Sequence, residues 1–401
     1  MDDLICVRVA DFDRNRFKVV DAPPTLRAIE ETERERRLLS PGDLLIEKSG
    51  GGDNQPVGCV VEFTHSFAAV CSNFIGRLPI APGMWPRYWA YVHASLYSGR
   101  LNIPAIKQTT GIQNLDTDAY FNQRAPFPPH DEQRAIAEYL DRQTARLDAL
   151  VAAKERALGL LAEKRRALIT RAVTRGLDPR PRLFDSGIPW LGQIPAHWEA
   201  WKLAHVALVG NGSTPNRDKP EYWEDGTIPW LNSSVVNQEE VTAADQFVTA
   251  LAFRECHLPL VKPDSVLVGI TGQGKTRGSA VVLSLAATIN QHIAFITPNA
   301  EQLDSWFLRW TLFTAYEYLR SISDDAGGTK GALTCEAVAA LNVPLPPLND
   351  QREIVAHIAS ETRKLDALMV TTERTISLLK ERRAALISAA VTGQIDVRHR
   401  A

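Results

Sequence analysis

The chain has 401 residues, 45% hydrophobic and 23% charged, with a formal net charge of −2. That is ordinary for a globular protein of two or three domains, and it excludes bulk charge as a source of nucleic-acid affinity, so any basic surface has to be local. Five scattered cysteines without a C-x-x-C exclude a disulfide framework and suggest no zinc site, and no apolar run of about 18 residues marks a membrane span.

From the N-terminus, "MDDLICVRVADFDR" is no signal peptide, so a cytoplasmic protein is expected. "GDLLIEK" (42–48) and "NFIGRLPI" (73–80) read as strands, and "WPRYWAYVHASLYS" (85–98) as an amphipathic helix whose aromatics belong to a core. The polar stretch "QTTGIQNL" (108–115) reads as a turn. From Pro126 a proline-rich entry leads into a long helix, with Asp131 and Glu132 suited to its first turn. A linker with two glycines and three prolines, "RGLDPRPRLFDSGIP", comes after this helix.

The next variable part contains "DSVLVGI" (264–270), a strand, and then "GITGQGKT" (269–276). The latter fits the phosphate-loop pattern G-x-x-x-x-G-K-[ST] letter for letter. That chemistry needs a helix opening directly after the lysine, so that N–H groups and the helix dipole hold phosphates. The next residues are instead "RGSAVVLS", which read as a turn and a second strand. The favoured reading is a glycine-rich hairpin tip, whose backbone approaches a phosphodiester closely while Lys275, Thr276 and Arg277 contact it; the bland reading is a solvated turn. "QHIAFITP" (291–298) is a further strand, "LDSWFLRWTLFTAYEYLRS" (303–321) an aromatic-rich helix, and "GGTKGALT" (327–334) a polar turn.

The chain repeats itself. The segment from Pro126 to Asp178 matches that from Pro344 to Asp396 without a gap, at an offset of 344 − 126 = 218, with about two dozen identities. Weaker matches continue upstream, and the loop "EKSGGGDNQPVG" (47–58) stands where the second copy has "GITGQGKTRG". The first copy has no Gly-Lys-Thr there, and Pro56 would break a helix, which argues against a nucleotide-hydrolysing loop. Both tails carry heptads: Leu140, Leu147, Val151, Leu158, Leu161 and Leu168 in one, Ile358, Leu365, Met369, Ile376, Leu379 and Leu386 in the other. Lys154 and Arg165 interrupt the first seam, Thr372 and Arg383 the second. Neither helix buries its stripe alone, so the two are expected to pair antiparallel, with the globular parts at opposite ends; each lying on its own globular part is the alternative. The map is a first variable domain at 1–125, a long helix at 126–178, a second variable domain at 179–343 and a second long helix at 344–396. The fold class is α+β.

Together these features resemble the specificity subunit of type I restriction-modification systems. The resemblance rests on two variable domains, each with a similar long helix after it, and on the entries "PFPPHDEQRAIAEYLD" and "PLPPLNDQREIVAHIA". It rests also on "DSGIPWLGQIPAHWEAWKL" (185–203), which is similar to the opening of a target-recognition domain, and on the polar turn before each helix. It implies that each variable domain reads half of a split sequence in double-stranded DNA. It implies that the paired helices separate the halves and dock two methyltransferase subunits, that a restriction subunit with a translocating motor joins, and that this chain catalyses nothing. No Asn-Pro-Pro-aromatic motif, G-x-G-x-x-G after a strand or His-x-x-x-His speaks for catalysis, and no cofactor or metal is expected. The expected DNA contacts are Lys107, Gln108 and Thr109 in the first domain, and Gln273, Lys275, Thr276, Arg277 and Lys330 in the second. The competing reading is a coiled-coil scaffold that binds no DNA. The fixed offset sets Met1 opposite Lys219, so the first domain lacks a counterpart to the opening at 185–203 and is expected to be the weaker reader.

Overall fold

The computed structural model describes residues 2–109, 111–272, 274–324 and 331–397. The chain divides into two compact units: residues 1–157 with 371–401, and residues 158–370. The boundary therefore falls inside both long helices rather than at their ends.

In the first unit, strand β1 (Asp2–Val7) lies between Leu26–Ile29, antiparallel, and Ala69–Cys71, parallel. Beside it is a five-stranded sheet in the order Phe12–Asp13, β2 (Lys18–Val19), β4 (Val60–Glu62), β3 (Leu44–Glu47), β5 (Ile75–Leu78). All four residues of β3 are buried, because helix α1 (Pro86–Ser98) covers the sheet with Ala90 while Leu39 and Phe63 fill the other side. Strands β6 (Ile106–Thr109) and β7 (Ile112–Leu115) form an antiparallel hairpin. Six of the eight residues of "QTTGIQNL" are thus strand rather than turn. The long helix α2 runs from His130 to Arg175.

The second unit repeats this plan and adds to it. Strand β8 (Glu199–Lys202), one helical turn α3 (Leu203–Val206) and strand β9 (Ala207–Asn211) come first. Strand β10 (Ile228–Leu231) takes the place of β1. With β11 (Glu240–Val241), β12 (Ser265–Gly269), β13 (Ala280–Leu283) and β14 (Ile293–Pro298), β9 completes a sheet in the order β9-β14-β12-β13-β11. The aromatic helix is two: α4 (Ser305–Thr314), capped by the Asp304 carboxylate at the N–H groups of Trp306 and Phe307, and α5 (Tyr316–Asp324). Strand β15 (Asn342–Leu345) pairs with β8 and leads into the second long helix, α6 (Leu348–Val391).

The long helices pair antiparallel within each unit. In the first, Asp148 near the middle of α2 accepts from Arg383 of α6 at 2.8 Å; in the second, Asp366 of α6 accepts from Arg165 of α2 at 3.0 Å. These are the same two sequence positions with the helices exchanged. Arg165 and Arg383 are therefore cross-ties rather than flaws in the seam. Arg383 also donates to the Asn15 carbonyl and lies over the Phe17 ring, and Arg165 reaches Glu239 at 2.8 Å. Leu140, Leu147, Ile358, Leu365 and Ile376 are buried, and the other seam positions are less so. Each globular part closes its core on the start of one long helix and the end of the other: Ile136 and Leu140 with Ile387 and Val391 in the first unit, Ile354 and Ile358 with Ile169 and Val173 in the second.

The glutamine of each proline-rich entry is fully buried. Gln133 donates to the carbonyls of Gly83 and Pro128 and accepts from the Trp85 N–H at 2.8 Å and the Trp89 indole at 3.1 Å. Gln351 donates to Gln302 and Pro346 and accepts from the Asp304 N–H, all at 2.8 Å. Only an amide side chain offers two donors and an acceptor in that arrangement. Gln351→Ala leaves these backbone groups buried without partners, at roughly 1–3 kcal/mol for each left unmade. We expect the second unit to lose about 3 kcal/mol or more, read as a lower denaturant midpoint in that unit's transition.

His93 of α1 stacks on Tyr120 and shares a 2.8 Å hydrogen bond with its hydroxyl, and burial holds the imidazole down at about 4 against an ordinary 6.5. The neutral ring is thus favoured in the folded state. Stability owed to it is complete above pH 6.5 and falls as the pH drops from 6.5 towards 4, where the unfolded chain takes the proton first. Subtracting the unfolding profile of a His93→Gln variant from that of the unmodified protein should leave this downward slope below pH 6.5 and a pH-independent difference above it.

Candidate nucleic-acid interface

The hairpin β12–β13 carries the phosphate-loop look-alike, and the structure settles its geometry. After Gly274-Lys275-Thr276 the chain turns, and β13 begins at Ala280; no helix opens there. The turn is closed by Gly278 N–H donating to the Gly269 carbonyl at 2.8 Å and Gly269 N–H to Ser279 at 3.0 Å. Gly269 admits no side chain, since a Cβ would sit 2.3 Å from the Thr276 carbonyl oxygen. Gly272 and Gly278 adopt φ of 112° and 87°, where a side chain is strained. The glycines therefore build a tight tip rather than a phosphate cradle on a helix.

Helix α5 supports this tip from below. Tyr316 donates to the Lys275 carbonyl at 3.2 Å, and Arg320 to that of Gly274 at 2.6 Å. Lys275 itself is exposed, and no ion pair forms at it among the described residues. Arg277 is different. It is buried, donating to Asp324 at 2.6 Å, and Gly331 leaves it room, because a Cβ there would meet the guanidinium at 2.0 Å. The expected phosphate contact at Arg277 is thus corrected to a support beneath the tip. Thr276 is half-buried beside Lys275. Gln273 and Lys330 lie outside the described residues.

An open cleft of about 480 Å³ runs beside the tip, with Lys275, Arg166, Arg309, Asn237, Tyr316 and Glu317 in its lining. Arg309 is 6% exposed, stacked on Trp310 at 3.9 Å, with Glu239 as its ion partner at 3.8 Å. Burial pushes its guanidinium down to about 10, which still leaves it charged at neutral pH. With Glu239 at Arg309 and Glu317 at Arg166, three cations face two carboxylates and leave a net positive charge beside the tip, suited to a polyanion. Around the same end of the sheet, Thr214 donates to Gln291 at 2.6 Å and Thr271 shares a 2.9 Å hydrogen bond with His292. Sequence reasoning passed over these polar groups; their one signal was that Gln291 aligns with Asn73.

The first unit distributes its polar groups otherwise. Its equivalent tip carries Asp53, Asn54 and Gln55 and no cation. Lys107 sits on strand β6 and pairs at the surface with Asp116 at 2.6 Å, and Gln108 is exposed beside it. Thr109 ends β6, and its side chain lies outside the described residues.

With two copies of one α+β unit, each closed on both long helices, comparison with known proteins becomes decisive. Residues 195–376 match the family model of the type I restriction modification DNA specificity domain. That match takes in 182 of the 401 residues, a little under half of the chain. It is 23% identical over 190 residues to the EcoR124I/EcoR124II specificity subunit of Escherichia coli, a match spanning 47% of this chain and 46% of that relative, about half its length. It is 22% identical over 386 residues to the EcoKI specificity subunit of Escherichia coli K12, covering 92% of this chain and 78% of that one. The fold is that of the HsdS subunit from Thermoanaerobacter tengcongensis, with a TM-score of 0.58 at 18% identity, covering 98% of this chain and 91% of that one. It is also that of a chain from a structure of complex assembly and conformational transition of the type I R-M system, with a TM-score of 0.76 at 18% identity over 98% and 92%.

A lysine that neutralises one phosphate without touching a base weakens every duplex alike when removed. Lys275→Ala should lower the slope of log affinity against log salt by about one unit, measured by titrating duplexes of unrelated sequence at several ionic strengths. An unchanged slope would return the tip to a solvated turn.

Proposed function

We propose that this protein is the DNA-reading, non-catalytic subunit of a type I restriction-modification complex, binding a bipartite double-stranded target with one half for each unit. The observation that carries this is the duplication itself. The same strand framework recurs twice, and at its end the second unit presents an exposed cation on a glycine-built tip beside a positive cleft. In this reading Lys275 and Arg309 position phosphates, while Thr271, Gln291 and His292 are near enough to the tip to meet base edges. Lys107 serves the first unit once a phosphate replaces Asp116, an exchange that costs little for a pair at the surface.

Docking of two methyltransferase subunits has its own support in the long helices. Leu150 and Leu378 in the first unit are 51% and 54% exposed, and Leu160 and Leu368 in the second are 65% and 54% exposed. Leu150 matches Leu368 and Leu160 matches Leu378 at the repeat offset, so each unit shows the same apolar pair to solvent. A patch repeated twice suits two copies of one partner. A restriction subunit would join that assembly.

The reading is tested by exchanging residues 185–343 for the same region of a relative and sequencing the methylated sites. One half of the target should change while the other half and the gap stay as they were. A single uninterrupted motif, or a change on both sides of the gap, would sink the two-reader assignment. A chain that shifts no duplex even with a methyltransferase partner would be a scaffold instead.

A further inference from the structure

The loop that follows β9 in the second unit, residues 212–217, leaves the sheet at the same end as the glycine-built tip. Asn211 of β9 and Val268 of β12 both lie opposite Ala294 of β14, on its two sides. Strands two places apart in a sheet are about 10 Å from each other, so loop and tip emerge side by side. A chain of side-chain hydrogen bonds joins them, from Thr214 to Gln291 at 2.6 Å, Gln291 to His292 at 3.3 Å and His292 to Thr271 at 2.9 Å. The loop is also fixed from behind. Ser213 N–H donates to the Ile289 carbonyl at 3.0 Å, and the Trp230 and Trp223 indoles donate to the carbonyls of Ser213 at 3.1 Å and Asn216 at 3.0 Å.

Arg217 ends this loop and is exposed. The Trp223 and Trp230 rings meet edge to face at 5.2 Å and 87°, and the guanidinium lies in their corner, 3.7 Å from the first centroid and 4.8 Å from the second. One Nη2 hydrogen goes to the Gln246 side-chain oxygen at 2.8 Å. A guanidinium has five N–H donors, so four remain without a partner among the described residues. An exposed arginine loses rotamer freedom when it binds; two indoles and an amide have already fixed this one. A planar fork held by its face, with its edge open, matches the O6 and N7 acceptors of guanine in the major groove. A phosphate is served as well by the point charge of Lys275.

We propose that Arg217 reads a guanine in the second unit's half of the DNA target. The major groove is about 12 Å wide, so Lys275 at a phosphate on its border and Arg217 at a base edge inside it fit one stretch of duplex. Trp223, Trp230 and Gln246 act through Arg217 as positioning residues. The assignment rests on the two-reader proposal above and goes beyond it in naming a base and the side chain that meets it.

The experiment sequences the methylated sites of the complete system carrying Arg217→Lys in this chain. Lysine keeps the charge and gives up the fork and the stack. One G·C pair should relax, its discrimination falling about tenfold or more, in the half that the exchange of residues 185–343 alters. The other half and the gap should stay as they are in the unmodified protein. Gln246→Ala keeps the charge and unpins the fork, and it should relax the same pair to a smaller degree. An unchanged motif, a half without any G·C pair, or relaxation in the other half overturns the assignment and leaves two readers standing. So does an equal loss of methylation at every site, since Arg217 would then hold a phosphate or brace the indoles. Absence of any split motif from the unmodified protein sinks the two-reader proposal, and this assignment with it.

Discussion

Everything in each unit hangs on one buried amide. Gln133 and Gln351 sit where a long helix meets the globular part, and each satisfies backbone groups from both sides of that junction. Without them the start of the long helix and the end of the preceding loop would bury carbonyls and N–H groups with no partner. With them, the direction of the long helix is fixed against α1 in one unit and α4 in the other. The core then closes over that junction, and the opposite end of the partner helix completes it through Ile387 and Val391 or Ile169 and Val173. The proline-rich entry is thus a joint, and its prolines hold the approach extended ahead of the helix.

The second fixed point is the pair of crossed arginines. Each reaches past the facing helix's aspartate to a loop of the globular part, Arg383 to Asn15 and Arg165 to Glu239. Guanidinium groups suit that place because they bond sideways and stack at once. A leucine in the same seat would pack the two helices but leave those loops untied. The positive cleft of the second unit lies next to this tie, since Arg166 and Arg309 line it while Arg165 stacks over Trp310.

The tandem plan, the helices, the strand pair around the glycine tip and the absence of a phosphate cradle were legible because each leaves a local or repeated mark. The heptads exposed the seam, and the repeat supplied a second loop to compare with the first. Other features were not legible because they depend on partners far away in sequence. Arg165 and Arg383 look like defects until Asp366 and Asp148, 201 and 235 residues away, come into view. Arg277 looks like an exposed cation until Asp324 and the missing side chain of Gly331 enclose it. The stretch "QTTGIQNL" reads as a turn because its residues are mostly polar; its β pairing comes from the hairpin register and from Ser49–Gly50 alongside. The single offset of 218 also fails near the N-terminus, where the strand pairings require 224, because the variable loops differ in length.

The two units are unequal in how their residues are drawn from the chain. The second is one uninterrupted stretch, residues 158–370, whereas the first joins residues 1–157 to residues 371–401. Ribosomal synthesis runs from one end only, so the order of assembly is built into the sequence. The second unit has all its parts once residue 370 has left the exit tunnel. The first must hold Tyr88, Tyr91 and Leu140 without their cover until Ile387, Ala390 and Val391 arrive at the very end. Its last contacts span some 300 residues, Tyr88 to Val391 among them, and such closures are the slow ones. The unit that begins first is therefore the one that finishes last, and a chain released early carries one finished unit and one unfinished one.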